Sequence, residues 1–187
     1  MKMDEKLNLI IPVDRDEGSF WVYTLPLSRE VYEQHFLVMA KAFAQMNAAG
    51  VSMLQGPKIA GLMLKKVAIE MEVWEGAGGV QQGLVSEFVR LSTVVMPSDA
   101  GYQQLPLAKV FADKMLSEDE TVEVMGALCF FMLASRGYPR KSLKAIFEDV
   151  EDLWGTRISS STITELIASL PNSTPAENGG ATAAATP

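Results

Sequence analysis

One apolar run in this chain has no polar side, and several others are apolar along a single stripe. Val124-Met125-Gly126-Ala127-Leu128-Cys129-Phe130-Phe131-Met132-Leu133-Ala134 is the unbroken one. A helix built from it must be buried over most of its circumference. Helix signals bound the run. Ser117 and Glu120 stand at capping-box spacing, and Asp119 and Glu120 put negative charge at the positive end of the dipole. Arg136, Gly137 and Pro139 form a C-terminal stop. The run is shorter than the roughly 20 apolar residues that a membrane crossing takes. The spacing predicts a buried central helix over Ser117–Gly137, with the core organised around it.

Tyr32, Phe36, Met39, Phe43 and Met46 recur at helical spacing behind Ser28, which predicts a first helix from Arg29 to about Ala49, stopped by Gly50. The plainer reading of this stripe is a core-facing surface. The other is a partner-binding groove or a self-association seam. Gly56-Pro57 opens a second helix ending near Trp74-Glu75-Gly76, with proline at its usual first-turn position. Leu84, Phe88, Leu91 and Val95 form a third stripe, read as a helix ended by Pro97. Ser98 to Gln104 reads as a turn-rich connection, and Pro106 as the start of a short helix with Leu107, Val110, Phe111 and Met115 inward. Ser142 begins a further amphipathic helix carrying Leu143, Ile146, Phe147, Val150, Leu153 and Trp154. Thr162 and Glu165 cap a last one through Leu170.

Strand signals are confined to the N-terminus. Leu7, Leu9, Ile11 and Val13 alternate with other residues, and Phe20-Trp21-Val22-Tyr23-Thr24 is aromatic and β-branched. A hairpin over residues 7–24 is expected, with a loop longer than two residues. The tail from Pro171 is small, polar and proline-bearing, and its burial cannot offset its ordering entropy. The expected fold is therefore mainly α: one compact multi-helix domain over 1–170 around the central helix at about 117–137, with a small β-hairpin, helices from about residue 29, and a disordered tail over 171–187.

Composition narrows the function. The 187 residues are 48% hydrophobic and 21% charged, as in folded globular chains. A net charge of −7, from 23 acids and 16 bases, disfavours nucleic acid as a partner. Arg136, Arg140, Lys141 and Lys144 form one basic cluster, read as a solvated junction or as a docking patch for an acidic segment. The N-terminal sequence MKMDEKLNLIIPVD has acids ahead of a very short apolar stretch, unlike a signal peptide, so a reducing cytoplasm is expected. No membrane anchor is expected.

Catalytic chemistry finds few candidates. One histidine and one cysteine leave little for a triad or a metal site. His35 has no titratable partner at local spacing, and Cys129 lies in the most apolar segment, where a thiol is inert. Gly76-Ala77-Gly78-Gly79 fails as a dinucleotide fingerprint because Gln81 replaces the third glycine. It fails as a phosphate loop because Leu84-Val85 follows Gly83. No catalytic residue, cofactor or metal site is expected, and the chain reads as a non-enzyme. Eleven methionines and eight phenylalanines suit either irregular core gaps or a surface that repacks around varied apolar partners.

Several segments carry a resemblance: Lys6-Leu7-Asn8-Leu9-Ile10-Ile11-Pro12, Pro26-Leu27-Ser28-Arg29-Glu30-Val31-Tyr32, Gly56-Pro57-Lys58-Ile59-Ala60-Gly61-Leu62-Met63-Leu64-Lys65, the Phe130-Phe131 pair, and Ser169-Leu170-Pro171-Asn172-Ser173-Thr174. Over nearly its whole length the chain resembles the tail assembly chaperones of long-tailed bacteriophages, encoded just ahead of the tape measure protein. The resemblance implies a non-enzymatic role in virion assembly within the host cytoplasm. Such proteins keep the long, apolar, helical tape measure protein soluble while tail-tube subunits polymerise, and they are absent from the finished particle. The implied partner is the tape measure protein, with the tail-tube protein and a second copy of the chain as further candidates. Combining both lines, the candidate partner-binding residues are Tyr32, Phe36, Met39, Phe43 and Met46 of the first helix and Phe130 and Phe131 of the central one. The rival expectation is a structural tail or head-completion protein retained in the virion.

Overall fold

The computed structural model describes residues 8–15, 18–50, 55–99, 101–137, 157–159 and 161–170. In chain order the elements are β1 (Asn8–Val13), β2 (Phe20–Thr24), α1 (Arg29–Ala48) and α2 (Gly56–Glu70). A π-helical turn, Val80–Val85, runs into α3 (Ser86–Arg90). Then follow β3 (Ser92–Ser98), β4 (Gly101–Pro106), α4 (Leu107–Ala112), α5 (Glu118–Gly137), β5 (Arg157–Ser159) and α6 (Ile163–Ser169). The expected helix from Ser142 and the expected tail from Pro171 lie outside the described residues.

The sheet corrects the expected fold class. The chain is not mainly α with a small hairpin; it is mixed, with a five-stranded antiparallel sheet in the order β4-β3-β2-β1-β5. The N-terminal hairpin forms inner strands of that sheet. The third stripe, expected to be one helix, spans a helix–strand junction. Its helical part stops at Arg90, and Ser92-Thr93-Val94-Val95-Met96 is β3. Thr93, Val94 and Val95 are β-branched and favour a pleated strand. The Ser92 hydroxyl reaches the Phe88 carbonyl at 2.7 Å and the Thr24 hydroxyl at 2.9 Å, fixing the strand start beside β2. Most of the expected turn-rich connection, Ser98 to Gln104, is strand instead: β4 starts at Gly101, which pairs with Ser98 of β3.

Helices cover both faces of the sheet. Leu9, Ile11, Val13, Phe20, Val22, Val94 and Met96 point into the main core with α1, α2 and α5. Ile10, Tyr23 and Val95 point the other way, against Leu166 of α6. Thr162 and Glu165 close the capping box of α6. The Tyr23 hydroxyl and the Asn8 amide both donate to the Ser161 carbonyl, at 2.9 and 2.7 Å, which ties α6 to the hairpin.

α5 is the centre of the main core. Its capping box is present: the Ser117 amide donates to Glu120 Oε2 at 2.7 Å, and the Glu120 amide to Ser117 Oγ at 3.2 Å. Every residue from Gly126 to Ala134 is buried. α5 crosses α2 closely because glycine stands on both sides of the contact. The Phe130 ring lies on Gly56, and Gly126 lies against the Pro57 carbonyl. At the far end, the Arg136 guanidinium donates to the Leu27 carbonyl ahead of α1.

Candidate partner-binding surface

The candidate residues divide by burial. Phe130 and Phe131 are inside the core at 2% and 1% exposure. A partner would reach them only by lifting α5 from α2, so this helix is scaffold. Met39 and Met46 are also buried, and Tyr32 and Phe43 are half-buried. Phe36 is 51% exposed.

This division follows from the rotation of α1. Ser28 caps the helix, accepting from the Val31 amide at 3.3 Å. The buried face is His35, Val38, Met39, Ala42 and Met46. The line from Tyr32 through Phe36 to Phe43 therefore lies along the margin of that face. The Tyr32 and Phe36 rings meet edge to face, with centroids 5.8 Å apart. They line a shallow groove of about 300 Å³ with Met39, Ala40, Phe43 and Ala44, to which α5 contributes Leu133.

Leu37 is 66% exposed and is the residue that stripe reading missed. It follows Phe36 by about 100° around the helix, so it borders a second depression. That one, about 250 Å³, lies between α1 and the segment after α2, lined by Gln34, Val38, Met71, Val73 and Val80 among others. His35 forms part of its wall. The ring is buried, Nε2 has no hydrogen-bond partner, and Gly83 of the π-helical turn lies so close that a Cβ there would stand 2.8 Å from Nε2. Burial pushes the His35 pKa down, so the ring is neutral. Leu62 and Ile69 continue the exposed apolar series on α2. Lys58, Lys65 and Lys66 stand three or four positions from Leu62, and Lys65 and Lys66 from Ile69, so in sequence both fall on the lysine-bearing side of α2.

The methionines fill gaps. Met39, Met46 and Met132 are buried, and Met63, Met71, Met115 and Met125 pack half-buried against the main core. Burial raises the Cys129 thiol to about 12, leaving it protonated. No group of three or more His, Cys, Asp and Glu among the described residues is placed to hold a metal ion. A third depression, about 330 Å³, has Asp119 and Glu123 near Lys58, one helical turn apart on α5. Among the described residues, no helix is long and apolar enough to cross a membrane. No family model, curated protein or solved structure matches the chain.

Proposed function

We propose that this chain is a non-enzymatic assembly chaperone of a long-tailed bacteriophage, and that the outer margin of α1 binds apolar stripes of the tape measure protein. The supporting observation is the pair Phe36 and Leu37. Two large adjacent apolar side chains stand 51% and 66% exposed on a capped, 20-residue helix, each bordered by an apolar depression. Contiguous apolar exposure of this kind marks a binding surface more often than isolated residues do. An amphipathic helix of the partner would lay its apolar face along α1, a helix-in-groove mode. The net charge of −7 keeps such a complex dispersed. Burial of the single cysteine and of the single histidine supports the non-enzymatic part of this reading.

Coexpression tests the reading. The partner is the long helical reading frame that should lie downstream, with a major tail protein gene upstream. With this chain present, the soluble fraction of the tape measure protein is expected to rise several-fold, and the double substitution Phe36→Ser, Leu37→Ser to abolish most of the gain. Equal solubility with and without the chain would sink the proposal. Mass spectrometry of purified particles separates the rival reading, because a structural tail or head-completion protein stays in the virion and a chaperone does not.

A further inference from the structure

Among the described residues, the two outer strands of the sheet are unlike. β5 is three residues long and begins with Arg157, and shortness and charge are two devices that keep sheet edges from pairing with other chains. β4 has neither. Gly101-Tyr102-Gln103-Gln104-Leu105-Pro106 is six residues without a charge, in a chain of net charge −7.

The ladder sets which way its backbone points. The Leu25 amide donates to the Leu91 carbonyl at 3.3 Å, so the odd-numbered residues running into β3 face β2. Val94, Met96 and Ser98 then face β4, where they meet Leu105, Gln103 and Gly101. Both prolines fit this phase. Pro106 stands opposite Thr93, and Pro97 opposite Tyr102, where β3 and β4 exchange no hydrogen bonds. The main-chain N–H and C=O of Gln104 therefore point outward, and among the described residues no strand lies beyond β4.

We propose that β4 pairs antiparallel with β4 of a second copy, about a twofold axis at Gln103, joining two sheets into one. A twofold contact must be self-complementary, and this strand is. Outward-facing Gln104 of one copy meets outward-facing Tyr102 of the other, the hydrogen-bonded type of pair. Gly101 falls opposite Leu105, and the space where a Gly101 Cβ would stand is open to 4 Å, with room for the leucine. Gln103 faces Gln103, and each amide carries both donor and acceptor. Two chains of like charge approach at least cost along a strip that has none. An extended segment of another protein would satisfy the same backbone groups, but the matching of small to large and amide to amide favours the second copy.

Analytical ultracentrifugation of the full chain across micromolar concentrations tests this. A concentration-dependent dimer is expected. Gln103→Glu sets two carboxylates across the axis and should weaken the dimer roughly tenfold, as should Gln103→Lys through two ammonium groups; mixing the two restores association as a heterodimer. Gln104→Pro removes an outward N–H without touching the ladder to β3 and should weaken the dimer by a similar factor. If the proline impairs folding, the charge pair still decides. A chain that stays monomeric overturns the proposal, and so does a dimer indifferent to both Gln103 substitutions.

Discussion

A Cβ built on Gly126 of α5 would press into the Pro57 carbonyl of α2, main chain that has no rotamer to yield. A Cβ on Gly61 of α2 meets only Cys129 Sγ, at 3.8 Å, which is ordinary contact. The two glycines share one helix–helix interface and differ only in this clearance. Gly126→Ala must spread the crossing, and overpacking of that kind costs about 1–3 kcal/mol. The melting temperature should fall by several degrees. Gly61→Ala should be neutral or stabilising by up to about 1 kcal/mol, because alanine loses less conformational entropy on entering a helix. Thermal denaturation of both variants checks the pair. Equal losses would mean that the crossing does not depend on the glycine at 126.

Between elements, the junction with most at stake joins the β1–β2 loop to the start of α5. Arg15 holds Glu120 through two bonds, Nε to Oε1 at 2.5 Å and Nη2 to Oε2 at 2.8 Å, and also donates to the Met115 carbonyl. The same guanidinium stacks on Phe20, 4.6 Å from the ring centroid. The Arg15 hydrogen bonds, helped by the Ser117 amide and hydroxyl, hold the Glu120 carboxyl down at about 2. A carboxylate depressed in the folded state stabilises the fold above its unfolded pKa and loses that contribution as pH falls toward the folded value. Glu120→Gln should therefore cost about 1 kcal/mol at neutral pH, a modest figure because the pair is partly solvated. That cost should close as pH drops from about 4.5 to about 2. Melting curves of both proteins over that window check it, and a pH-independent gap would assign the loss to shape instead of charge. Half of this junction was legible in sequence. Ser117 and Glu120 signal each other across three residues, whereas Arg15 is over a hundred positions away and has no local mark. The same division explains the sheet. Val94 and Val95 are both buried because helices cover both faces, so β3 shows none of the alternation that betrays a half-buried strand. Leu84, Phe88, Leu91 and Val95 then matched a helical period across a helix–strand boundary.

For the molecule as a whole, the division between scaffold and surface depends on how α1 is turned, and a stripe of large side chains could not give that turn. Ala42 is fully buried and Phe36 half out, because the tight approach of α1 to the core selects a small residue that a search for bulky apolar positions passes over. The consequence is a separation of fold from function along one chain. Phe131→Ala leaves a cavity in the centre of the core and should cost about 3–5 kcal/mol, a large share of the 5–15 kcal/mol typical of a domain. Phe36→Ser and Leu37→Ser remove exposed surface and should shift stability by less than about 1 kcal/mol, while removing the gain in tape measure solubility. Chemical denaturation of the three variants, beside the coexpression readout, tests both halves. Losses at Phe36 and Leu37 as large as that at Phe131 would show that the outer margin of α1 is covered within the folded chain, and the binding surface would then have to be sought at Leu62 and Ile69 on α2.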